Sequence, residues 1–120
     1  MSFTYKITKT DEITRSDGFI IQIVPGQVTP ELKEYWAWQA ERTRVAAVQH
    51  RMDDVARGFE FMNGIDSVAS FVDSANKDYA AQAKKLLAWR DAVWAKFESI
   101  RGEDFSVEQV LRRLPEPPQL

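Results

Sequence analysis

The one histidine of this 120-residue chain, His50, stands three and four residues before Asp53 and Asp54. On a helix that spacing puts an imidazole and a carboxylate on one face, the beginning of a metal site. Two ligands do not hold a metal, and the chain has no Cys and no second His to complete a set. Arg51 and Arg57 stand beside the two carboxylates, so the group reads as a charged, solvated helix face. Ser67, Ser70 and Ser74 have only His50 as an imidazole base, and none lies in a G-x-S-x-G elbow. The adjacent carboxylates Asp53 and Asp54, or Glu103 and Asp104, fall among capping and surface positions and give no specific support to glycosidase chemistry. No glycine-rich phosphate cradle appears. The expectation is a protein that is not an enzyme, with no catalytic residue, no metal and no cofactor.

Charge narrows the partners further. Sixteen basic residues against eighteen acidic ones give a formal charge of -2, too little positive charge to bind phosphate backbones by counterion release. Arg42, Arg44, Arg51 and Arg57 are diluted by Glu31, Glu34, Glu41, Asp53, Asp54 and Glu60, so nucleic acid is not expected. Nor is a membrane. The opening Met1 to Lys6 lacks a basic start followed by an apolar run, and the apolar stretch Phe19 to Val24 is far short of the roughly 20 residues that cross a bilayer. A soluble, intracellular chain is expected.

What the chain does carry is aromatic surface. Its 44% hydrophobic content includes four Trp, three Tyr and seven Phe. Trp36 and Trp38 fall near opposite sides of a helix at 100° per residue, and Trp89 and Trp94 cannot all join them in one small core. Aromatic and Arg side chains are enriched at the centres of protein interfaces, so Tyr35, Trp36, Trp89 and Arg90 form a candidate partner-binding group, with Trp38 and Trp94 as further anchors. The other reading of these rings is that they cap the ends of the local core.

The elements that must position them follow from periodicity. Phe3, Tyr5 and Ile7 alternate with polar residues, and Ile13 keeps the same odd phase, so residues 1–28 read as an N-terminal β-hairpin segment. The turn lies at Ser16-Asp17-Gly18; a three-residue loop with Gly18 left-handed is preferred to a two-residue one and pairs Ile13 with Ile21. Ile13, Phe19, Ile21 and Ile23 then share one face. A two-stranded hairpin is marginal alone and must lean on a helix or a partner.

Residues 29–114 read as a helical domain. Thr29 caps and Pro30 opens a helix that reaches as far as Asn63-Gly64, with Gly58 as a kink point. Trp38, Val45, Val48, Met52, Val55, Phe59 and Met62 form its heptad seam, which suits packing within its own domain or an intermolecular coiled coil. Asp66 is expected to cap a short helix, and Asp73 to Asn76 to cap the next, which runs from Lys77 to Arg101 with Tyr79, Ala83, Leu86, Leu87, Val93, Trp94, Phe97 and Ile100 as its buried stripe. Ser106 and Gln109 have capping-box spacing for a last short helix, and residues 115–120 form a Pro-rich extended tail. The fold class expected is mainly α with a small β part (α+β): a hairpin, then a long antiparallel helical pair with short connecting and C-terminal helices.

Two stretches carry a resemblance. Ile13-Thr14-Arg15-Ser16-Asp17-Gly18-Phe19-Ile20, followed by Tyr35-Trp36-Ala37-Trp38, resembles the opening segment of bacteriophage tail-fibre assembly and tail-fibre-associated proteins. Phe59, Gly64 to Val68, Phe71, Ala83 to Leu87, Trp89-Arg90-Asp91-Ala92-Val93-Trp94 and Leu114-Pro115 are similar to a module at the ends of small phage tail proteins. The resemblance implies a non-enzymatic viral protein, an assembly chaperone or structural component, binding a trimeric tail fibre or a baseplate protein in the host cytoplasm during assembly or in the virion tail. A homo-oligomer through the helical seam fits the same picture. The reading from another class is a phage-encoded protein that inhibits or regulates a host enzyme or defence complex.

Overall fold

The structure, a computed structural model, describes residues 3–119. Met1 and Ser2, where the reading of a missing targeting signal begins, and Leu120 of the expected tail lie outside the described residues. In chain order the elements are β1 (Tyr5–Lys9), β2 (Glu12–Arg15), β3 (Ile20–Gln22), α1 (Pro30–Gly58), a 3-10 helix (Ile65–Phe71), α2 (Lys77–Ile100) and α3 (Val107–Arg113). This is an α+β chain. It divides into two compact units, Met1–Thr43 and Arg44–Leu120, with α1 contributing to both. The division falls inside α1 and not at residue 28, because Leu32 and Tyr35 from the first turns of the helix bury themselves with Ile13 and Ile21 of the strands.

In the first unit the expected two-stranded hairpin supplies the central and one edge strand, β2 and β3, of a three-stranded antiparallel sheet ordered β1-β2-β3. The turn has the three-residue form: Gly18 is left-handed at φ 93° and donates to Arg15 O at 2.9 Å, and Arg15 N donates to Phe19 O at 2.8 Å. Ile13 faces Ile21 as the loop length requires. On its other side Ile13 faces Ile7, which is the third strand that the shared odd phase of Tyr5, Ile7 and Ile13 encodes. Ile13 and Ile21 are buried, whereas Phe19 and Ile23, expected beside them, are 44% and 39% exposed because they stand beyond the ends of the three-residue strand. Thr29 caps α1 through Oγ1, which accepts from Leu32 N at 3.2 Å.

Arg15 ties the turn together. Its guanidinium donates twice to Asp17 at 2.8 Å and lies 4.1 Å and 4.7 Å from the ring centres of Phe3 and Phe19. The Arg15 hydrogen bond, helped by Phe19 N, lowers the Asp17 carboxyl from 3.8 to about 2. A carboxyl held below its unfolded value stabilises the fold at any pH above that value, and the contribution is lost as pH falls through the folded one. Asp17→Asn should therefore be less stable than the parent at neutral pH, with the gap closing between pH 3.8 and about 2; urea unfolding of both proteins across that range measures it.

In the second unit the latter half of α1 packs Val48, Met52 and Ala56 against Ala83, Leu86, Trp89, Val93 and Phe97 of α2, with Ile65 and Val68 of the 3-10 helix and Val110 of α3. Of the heptad seam, Val45, Val48, Met52, Val55 and Phe59 pack inside this unit, while Trp38 packs in the first. Met62, its last expected member, is 72% exposed, since the helix stops four residues earlier. Arg44 Nε donates to Phe105 O at 2.6 Å, joining an early turn of this half of α1 to the chain just beyond the end of α2, as an antiparallel pair requires.

The helix ends at Gly58 and not at Asn63-Gly64 because a Schellman motif closes it: Phe61 N donates to Ala56 O and Glu60 N to Arg57 O. The left-handed position of that motif is Glu60, at φ 72°, where glycine carries no steric cost. Glu60→Gly should raise stability by about 1 kcal/mol, read as a higher urea midpoint with an unchanged slope.

Asp66 does not cap the 3-10 helix; its Oδ2 accepts from Gln49 at 3.3 Å. The cap comes from α1: Asp53 Oδ1 accepts from Ile65 N at 2.9 Å. Asn76 caps α2 by accepting from Asp78 N and Tyr79 N, and Ser106 with Gln109 closes a reciprocal capping box on α3. Tyr79, placed on the buried stripe from sequence, is 42% exposed, while Trp89, omitted from that stripe, is buried. Residues 115–119 hold no regular structure, but Pro115 is fixed through its carbonyl, which accepts from Trp89 Nε1 at 3.0 Å.

Candidate functional site

The chemistry-bearing residues come first. His50 Nδ1 lies 3.2 Å from Asp54 Oδ2, and Arg57 reaches the other oxygen of the same carboxylate at 3.3 Å. Beside them is an open hollow of about 430 Å³ lined by Ala47, His50, Arg51, Asp54, Val55 and Leu111. No hydroxyl or thiol side chain lines it. Among the described residues no three His, Cys, Asp or Glu side chains gather to hold a metal ion, and no helix is long and apolar enough to cross a membrane.

The six candidate anchors divide by burial. In the first unit Tyr35 is buried and packs its ring against Tyr5 and Trp38, at centroid distances of 5.4 Å and 6.1 Å. Trp38 is half-buried in the same group, with Arg42 stacked 4.7 Å above its ring. Trp36, on the other side of the helix, is 46% exposed. In the second unit Trp89 is buried, and its one donor is spent on Pro115. Trp94 is half-buried with its ring edge-on to Phe97 at 5.9 Å, and Arg90 bonds the neighbouring Asp91.

Tyr35 and Trp89 are therefore core residues of their units, which corrects their assignment as partner anchors: a side chain without exposed surface has none to bury against another molecule. Trp38 and Trp94 offer part of a ring each. Trp36 alone of the six presents a large free face.

The surface missed from sequence is aliphatic. Among the described residues the large hydrophobic side chains left exposed are Ile7, Phe19, Ile20, Ile23, Val24, Val28 and Trp36, all in the first unit, with only Met62 and Tyr79 elsewhere. The sequence signal was present. Phe19 to Val28 contains no ionisable side chain over ten residues, in a chain where 28% of residues are charged, and it extends well past the three-residue strand that can use it.

Comparison with protein-family models, with curated proteins and with solved structures finds no match to this chain.

Proposed function

We propose that the chain is a non-enzymatic binding protein that uses its N-terminal unit to hold a protein partner, and that the partner is a bacteriophage tail-fibre or baseplate subunit. The observation that carries the binding role is the concentration of exposed apolar side chains in residues 7–36, with Trp36 as the largest. Burying such side chains contributes favourable free energy without any reacting group, and aromatic residues dominate that contribution. The identity of the partner rests on the resemblance of Ile13 to Ile20, Tyr35 to Trp38 and Trp89 to Trp94 to small phage tail proteins. Assembly chaperone and virion component are both roles of such a surface.

Co-expression of the chain with the tail-fibre protein of the same phage, followed by affinity capture of the fibre, tests this. The parent chain is expected to co-purify, and Trp36→Ala to bind roughly tenfold more weakly at unchanged folding stability. Equal capture of parent and variant removes Trp36 from the interface, and no capture of the parent removes the fibre as partner.

A further inference from the structure

We infer that β3 is a docking edge for a second copy of this chain, the two β3 strands pairing antiparallel about a two-fold axis at Ile21. Arg15 N donates to Phe19 O and Ile23 N to Asp11 O, so residues 19, 21 and 23 turn their backbone groups toward β2. By alternation, the N–H and C=O groups of Ile20 and Gln22 point out of the sheet edge. Neither residue's backbone has another hydrogen-bond partner among the described residues.

The two edges of this sheet are not equivalent. β1 carries Lys6 and Lys9 and a register break between Ile7 and Lys9, the features that block edge-to-edge pairing. β3 has neither charge nor bulge, and the uncharged run continues to Val28.

Self-pairing suits that run for two reasons. A two-fold axis sets equivalent groups near one another, which penalises a charged strand and leaves an uncharged one unaffected. With Ile21 opposite its own copy, the outward backbone groups of Ile20 meet those of Gln22 in the partner subunit. The same register sets Phe19 beside the partner's Ile23 on the face that carries Ile21, an aromatic against a β-branched residue. Both are exposed in the single chain, so pairing extends the apolar row formed by Ile13 and Ile21 across the axis.

The inference concerns the chain by itself and stands apart from fibre binding. Sedimentation equilibrium of the full chain over a dilution series is expected to give twice 13.8 kDa at the upper concentrations. Gln22→Pro removes one outward N–H and leaves the β2–β3 bonds in place, so its mass should fall to 13.8 kDa with an unchanged circular dichroism spectrum. Because the chain has no Cys, a second test is clean: Ile20→Cys mixed with Gln22→Cys should form a disulfide-linked dimer on mild oxidation, while each variant alone stays monomeric on a denaturing gel. A parent chain that is monomeric throughout overturns the inference. So does a dimer that survives in folded Gln22→Pro or gives no preference for the mixed disulfide; should Gln22→Pro fail to fold, the cysteine pair decides.

Discussion

Trp89→Ala is expected to cost about 4 kcal/mol of folding stability, the cost of removing a large buried aromatic side chain from a packed core. The indole is 6% exposed among Leu86, Val93, Val110 and Leu114, and its N–H meets the Pro115 carbonyl. Truncation leaves both a cavity and an unpaired carbonyl. Trp89→Phe separates the two effects: it restores most of the packing and should cost about 1 to 2 kcal/mol, most of it from the lost hydrogen bond. Urea unfolding gives both numbers. A loss under about 1 kcal/mol in Trp89→Ala would show that this ring is not part of the core and would return it to the candidate anchors.

Gly64→Ala is expected to cost about 2 to 3 kcal/mol, from a backbone conformation and a collision that act together. Gly64 sits at φ 90°, and a Cβ built there would lie 2.6 Å from Asp53 Oδ1. That oxygen also accepts from Ile65 N, so the carboxylate cannot move aside without releasing the cap of the 3-10 helix. Asp53→Ala, which removes the obstacle and the cap, should lose less than Gly64→Ala, and the double variant should be more stable than the sum of the single losses implies. Thermal or urea unfolding of the three proteins reads this coupling.

Local rules made much of the fold legible. The capping residues Thr29, Asn76 and Ser106 and the three-residue turn at Gly18 each depend on side chains within a few positions of the backbone they serve. What failed depends on distant partners. Asp66 was read as a cap from spacing alone, but the helix begins one residue before it, at Ile65, whose N–H is met by Asp53 from twelve residues earlier. The end of α1 was placed at the strongest left-handed signal, Gly64, whereas Glu60 adopts the left-handed position and Phe61, the residue after it, finds a place in the core.

The candidate site was legible in kind more than in place. A surplus of apolar side chains was evident, but assigning it to indoles assumed that ring size decides exposure. Trp89 fits under Pro115 at the C-terminal end of its unit, and Tyr35 fits beneath the sheet beside Ile13 and Ile21. The residues left outside are aliphatic ones on a run longer than its strand, Ile20, Ile23, Val24 and Val28, while Ile21 of the same run is buried.

Hydrogen–deuterium exchange of the chain, alone and saturated with the tail-fibre protein, tests the central proposal most directly. Protection gained on binding should concentrate in residues 24–28 and around Trp36, beyond the β3 edge that pairs with a second copy, with the amides of α2 and α3 unchanged. Protection confined to residues 44–120, or none at all in a mixture shown to be complexed by sedimentation, would contradict a binding role for the N-terminal unit.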